Sequence, residues 1–265
     1  MFTHTIDINL AKFESKLRKE IGSDLNALQI TYDAISKGNK HENKIFTLSQ
    51  GITVATILLP PVDFLLQREI NKCFKSIMGS VQDYLDNLIA ILQLKEDINS
   101  LKLPSKTTKH DIDEILREKF EECLLSVSTN QSLKTPHKLD RLLDNPEHQI
   151  HKESLQSYFD VRNGLEHHKG IAKAPRKIRY KRIGLASTEG NEISEPGQIG
   201  EGEGLVLKTF DEEICYDKGG ILLITKSQLE SIALNLLITI IPRIQLNLGE
   251  KFNAKDFNNS GKEKG

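Results

Sequence analysis

The sequence predicts a mainly α protein, a helical bundle of long helices with a small β-hairpin insertion before the last helix. Three observations predict it. Apolar residues recur every three or four positions through most of the chain up to His168. A glycine-rich stretch after Lys169 then breaks that period, and a strongly apolar helical run follows it. At 265 residues the chain is long enough to bury a core without disulfides or a structural metal.

From about Asp7 to Lys37, the residues Leu10, Phe13, Leu17, Ile21, Leu25, Leu28, Tyr32 and Ile35 share one helical face, and Gly38-Asn39 stops it. Ile45 to Leu59 is apolar without a decisive period. Pro60-Pro61 then opens a helix from Val62 to Lys102, carried by Ile70, Phe74, Ile77, Val81, Tyr84, Leu88 and Ile91. At ~1.5 Å per residue it is about 60 Å long, and Gly79 is its weak point, costing about 1 kcal/mol against alanine. A third helix spans Asp111 to about Ser128, and a short one, Lys138 to Asp144, ends at Asn145-Pro146. The fourth long helix runs from about Glu147 to His168, with Gly170 as its stop.

Residues 1–172 therefore read as the bundle and 173–225 as the insertion. Between Lys169 and Arg182 there are seven basic residues and no acidic one; from Leu185 to Glu213 there are eight acids against Lys208 alone. Ile214 to Tyr216 and Ile221 to Ile224 flank Asp217-Lys218-Gly219-Gly220, which predicts a hairpin turning at the glycines. The last helix, about Ser227 to Leu248, is apolar on nearly all sides and belongs to the core, giving 226–249 as the closing bundle element. The polar tail, 250–265, reads as disordered.

Charge is balanced, 36 Lys+Arg against 37 Asp+Glu, so no global field marks a nucleic-acid or membrane binder, and any such role needs a local patch. The absence of Trp and the 6% aromatic share argue against a carbohydrate-binding or aromatic-cage module. Three cysteines, Cys73, Cys123 and Cys215, lack CxxC spacing, which argues against a disulfide framework or zinc ribbon. The start of the sequence has neither a basic region nor an apolar core of a leader, so a cytoplasmic location is expected. No membrane partner is expected, because Ile52 to Leu66 is broken by Pro60, Pro61 and Asp63, and Ile232 to Ile241 ends at Pro242, short of the ~20 apolar residues a span needs.

The chemistry concentrates in SYFDVRNGLEHHKG, residues 157–170, where Arg162, Asn163, His167 and His168 stand together. This segment resembles the RX4-6H motif of the HEPN superfamily (higher eukaryotes and prokaryotes nucleotide-binding), in which a polar residue usually follows the arginine. Arg141 to His148 has an allowed spacing too, but Leu142 follows the arginine and Pro146 interrupts the run. The resemblance implies a helical bundle, a homodimer with a composite site, and RNA cleavage that needs no metal or other cofactor. It implies Arg162, Asn163 and His167 as catalytic residues, and a toxin or phage-defence role in which an antitoxin or regulatory partner restrains the enzyme.

The residue types suit that chemistry. A guanidinium offers a planar fork of donors to phosphate oxygens. An imidazole can take a proton from a ribose 2′-hydroxyl or give one to the leaving oxygen. Five residues along an ideal helix are about 140° of rotation, so Arg162 and His167 diverge unless the helix unwinds near Gly164 or a two-fold partner completes the site. Simpler roles stand beside these: Arg162 as the i,i+4 mate of Glu166, and the histidines as favourable charges at a helix C-terminus.

His168, Lys169, Arg176, Lys177, Arg179, Tyr180, Lys181 and Arg182 are the expected RNA contacts, cations for phosphates with Tyr180 as a stacking ring. The same run also fits a charged sheet edge, or an internal mate for the acidic segment that follows. His148 and His151 can share a helix face, yet no HExxH or cysteine pair accompanies them, so no metal site is expected. GQIGEGEG at 197–204 lacks the lysine of a phosphate loop and reads as a connection.

Overall fold

The computed structural model describes residues 9–37, 44–47, 53–57, 62–98, 108–130, 133–190, 192–193 and 204–253. The expectations for the chain start, the Gly38-Asn39 stop, the Pro60-Pro61 break, the helix end at Lys102, the loop at 197–203 and the tail at 254–265 lie outside the described residues.

The protein is mainly α. Helix α1 (Leu10–Lys37) packs along α2 (Val62–Ile98), burying Leu17, Ile21 and Leu28 in the same core as Ile70, Phe74, Ile77 and Val81. Between them the apolar piece with no decisive period forms two short antiparallel strands, β1 (Lys44–Thr47) and β2 (Thr53–Ile57). Helix α3 (Lys109–Thr129) begins at a capping box: Asp111 N–H donates to Thr108 Oγ1 and Thr108 N–H to Asp111 Oδ2, at 3.3 and 2.9 Å. The short α4 (Thr135–Leu142) starts with Pro136, whose missing N–H costs nothing in a first turn. One 3₁₀ turn, Pro146–His148, capped by Asn145, leads into α5 (Gln149–His167).

Helix α2 is the axis of the molecule, packed by α1, α3, α4, α5 and the helix after the insertion. A buried ion pair ties it to α4, with Lys138 Nζ 2.5 Å from Asp86 Oδ1, which also accepts from Gln82 Nε2 at 2.7 Å. The three thiols are free, Cys73 and Cys123 buried and Cys215 exposed.

The last helical element is continuous across Pro242: α6 (Lys226–Asn235), a π turn (Leu236–Ile240) and α7 (Ile241–Asn253). A proline lacks an N–H and crowds the carbonyl four residues back, and a widened π turn just upstream relieves both. The helix also outruns the end expected at 249. Lys95 Nζ donates to the carbonyls of Lys251 and Phe252, each at 3.2 Å, and lies 4.2 Å from the Phe252 ring centroid, so residues 250–253 stay helical. By length and composition Lys226–Phe252 is apolar enough to cross a membrane; half of its most apolar window is buried in this bundle.

The insertion is an antiparallel ribbon of β3 (Arg176–Ser187) and β4 (Leu205–Tyr216), in register from Arg176↔Tyr216 to Ser187↔Leu205. This corrects the expected hairpin at Gly219-Gly220. Ile214 to Tyr216 close β4 against Arg176 to Ile178, while Ile221 makes a single bridge to Ile171. The backbone of 219–222 is satisfied by the segment leaving α5 instead, through Gly219 N–H to Ala172 O at 2.7 Å and Leu222 N–H to Gly170 O at 2.8 Å. Ile178, Tyr180 and Tyr216 are buried, and β3 packs on α5 and α6. Tyr158 links the three: its hydroxyl donates to Arg179 O at 2.8 Å and accepts from Asn235 Nδ2 at 2.9 Å.

Candidate active site

The motif occupies the last turns and the stop of α5. The helix stays regular through Gly164 to His167, so it does not unwind inside the motif. Gly164 O accepts from both His168 N–H and Gly170 N–H at 3.1 Å, and Lys169 and Gly170 reverse the chain at φ 54° and 74°. A lysine in the left-handed region costs about 1 kcal/mol, held here by the bonds on either side. Gly164 is needed for closeness: a Cβ there would stand 2.4 Å from Leu222 Cδ1, the residue by which the insertion seats on α5.

Arg162 and His167 leave the helix in different directions, and Glu166 stands between them. Arg162 Nε donates to Glu166 Oε1 at 3.2 Å, and His167 Nε2 lies 3.9 Å from Glu166 Oε2. The Arg162 side chain is 24% exposed and that of His167 68%. Arg162 is also near enough to α2 to act on Asp83, whose carboxyl is raised by burial, Asp86 and Glu20 and partly drawn back by Lys16 and Arg162. Asn163, one turn before His167 on the same face, lines a cleft of about 210 Å³ with Asp160, Gly164, His168, Lys173 and Arg176. The His167 and His168 ring centroids are 6.4 Å apart. An exposed i,i+4 pair is worth only about 0.3–0.5 kcal/mol, so a phosphate can take the Arg162 fork from Glu166 at small cost.

The basic strand is matched internally. Arg176 pairs with Asp160 at 2.6 Å, Lys177 with Glu213 at 2.8 Å, Arg179 with Glu213 and Glu153 at 3.1 and 3.4 Å, and Lys181 with Asp211 at 3.3 Å. Arg182 bonds both Glu212 and Glu192. These pairs match the internal-mate reading of the run. Hydrogen bonds from Lys177, Cys215 and Arg179 bring the Glu213 carboxyl down to about 2, and those from Arg182 and Tyr180 lower Glu212. Tyr180 is a core residue here, 4% exposed with its hydroxyl on Glu212 at 2.6 Å, and not an open stacking ring. Burial and Glu212 push that phenol upward.

Two features escaped the sequence reading. Glu166 was visible as the mate of Arg162 but its side chain's approach to the His167 ring was not. Arg68, Lys72 and Lys75, spaced i, i+4, i+7 on α2, put a cationic face opposite Leu165 and Lys169; that spacing was available in the sequence, but the adjacency of α2 to the motif was not. His148 is buried with its ring centroid 6.3 Å from that of half-buried His151, which burial, His148, Arg243 and Lys181 make harder to protonate. Among the described residues no group of three or more His, Cys, Asp or Glu side chains is arranged to hold a metal. Comparison with known protein families, with characterised proteins and with solved structures found no match.

Proposed function

We propose that the chain is a HEPN-like, metal-independent endoribonuclease that works as a homodimer. The observation that carries this reading is the regular end of α5, where Arg162, Asn163 and His167 sit at an accessible helix terminus with Glu166 bonded to Arg162 and 3.9 Å from His167. In this reading one His167 takes the proton from a ribose 2′-hydroxyl, and the 2′-oxygen attacks the adjacent phosphorus. Arg162 holds the charge that grows on the phosphoryl oxygens. The 5′-oxygen leaves with a proton from the second copy's His167, giving a 2′,3′-cyclic phosphate and a 5′-hydroxyl. Asn163, on the His167 face, orients the imidazole or the substrate.

A non-catalytic helical RNA- or protein-binding dimer is the second reading, favoured by the Nε donor that Arg162 already gives to Glu166. Incubating the purified chain with a mixed RNA ladder, with and without EDTA, separates the two. Cleavage is expected to be indifferent to EDTA, to fall about 10²- to 10⁴-fold in Arg162→Ala and His167→Ala, and to persist in Arg141→Ala. Equal activity in all three folded variants would overturn the nuclease reading.

A further inference from the structure

A second cationic surface lies beside the motif, on the opposite side of α5 from the cleft that holds Asn163. It is a groove of about 480 Å³ between α2 and the end of α5, with Arg68, Lys72 and Lys75 on one wall, Leu165 and Lys169 on the other, and Glu69 as its single carboxylate. Four cations against one carboxylate leave it three charges positive, in a chain whose formal net charge is −1. Glu69 is shared between Arg68 at 3.2 Å and Lys72 at 3.8 Å. Lys75 and Lys169 make no ion pair among the described residues. The contrast with β3 is direct, since every cation from Arg176 to Arg182 has a carboxylate within 3.4 Å.

We propose that this groove binds the phosphate backbone of single-stranded RNA beside the end of α5, and that the β3 cations do not. The inference rests on the ribonuclease reading for its substrate class. The α2 cations span about 10 Å along the helix, enough to engage more than one phosphate, and Lys169 is two residues from His167. The left-handed turn at Lys169 brings its side chain onto the groove rather than onward along α5. A cluster of like charges only partly neutralised by Glu69 is tolerable in the free protein when a polyanion relieves it on binding.

The test measures binding of a short 2′-O-methyl RNA, which lacks the attacking hydroxyl and cannot be cleaved by this route. The groove variant is Lys72→Ser, Lys75→Ser, Lys169→Asn, asparagine being chosen because it accepts the left-handed conformation. Each single-strand phosphate contact contributes roughly −0.7 to the slope of log K against log salt, so this variant should lose about two units of slope and bind at least about tenfold more weakly at low salt. Lys177→Ser with Lys181→Ser should leave the slope unchanged. An unchanged slope in the folded groove variant, a loss confined to the β3 variant, or no binding by the native chain would each overturn the inference. Cleavage of unmodified RNA is followed in parallel: a native chain that binds through the groove but cuts nothing refutes the nuclease reading alone, and one that cuts with an unchanged groove slope refutes the groove alone.

Discussion

Gly164→Ala sets two known effects against each other inside the motif. An alanine in a helix interior is favoured over glycine by about 1 kcal/mol. The new Cβ, however, would meet Leu222 Cδ1 at 2.4 Å, about 1 Å inside ordinary contact, and Leu222 is 2% exposed with its N–H held by Gly170 O at 2.8 Å. Overpacking of this kind costs about 1–3 kcal/mol, so the net expectation is a loss of about 1 kcal/mol, or a Tm lower by roughly 2–4 °C at this chain size. Leu222→Ala alone removes a buried side chain and costs about 2–5 kcal/mol. In the double variant the alanine methyl occupies part of the vacated space, so the two losses should fall short of additivity by about 1–2 kcal/mol. Urea denaturation of the four proteins, with m-values compared, reads this out. A Gly164→Ala variant that is stabilised by about 1 kcal/mol, as at an open helical position, or a cycle additive within about 0.5 kcal/mol, would refute the contact.

Lys138→Met should cost about 3–5 kcal/mol by leaving Asp86 buried and unpaired, whereas Asp86→Leu with Lys138→Met together should recover most of that loss; a neutral single variant in denaturation experiments refutes this. The Glu212 and Glu213 carboxyls titrate below the ordinary carboxylate value in the fold, so their contribution is complete above that value and is lost as pH falls through it towards about 2. Amide exchange between pH 5 and 2 should therefore release β3 and β4 before the core of α2, and simultaneous release would contradict it.

What the sequence made legible follows from the range of the interaction that decides each element. The period of α1 and α2 is set by burial of one face, so Leu17, Ile21, Ile70, Phe74, Ile77 and Val81 were identifiable before any fold was known. The partner of Ile214 to Tyr216 was not, because a local turn at Gly219-Gly220 and a remote strand at Arg176 to Ile178 both fit an apolar run. The remote pairing satisfies a dozen register positions and neutralises Lys177, Arg179, Lys181 and Arg182, and the sign change from basic to acidic sequence was its one visible mark. Pro242 was a different case: the apolar pattern already carried the last helix past it to about Leu248, and what stayed invisible was the π turn at Leu236–Ile240 that accommodates the proline.

At the site, spacing alone fitted Arg141 to His148 as well, and it was the polar Asn163 after Arg162 that singled out Arg162, Asn163 and His167 by their resemblance to a known motif; the helical rotation of about 140° foretold that Arg162 and His167 diverge. The fold removes one of the two ways to reconcile them. Gly164 is the natural hinge by composition, but its carbonyl accepts two hydrogen bonds and its α-carbon is pressed against Leu222, so bending there would break the stop of α5 and unseat the insertion together. Glu166 reaches both side chains without bringing them face to face. The proposed mechanism, with the second copy's His167 as the acid, therefore draws on both copies of α5, which makes a strictly monomeric, active enzyme the result most damaging to it. Sedimentation at micromolar concentration, run on the same preparation that is assayed for cleavage, decides it: a dimer is expected, and full activity in a monomer would sink the composite site.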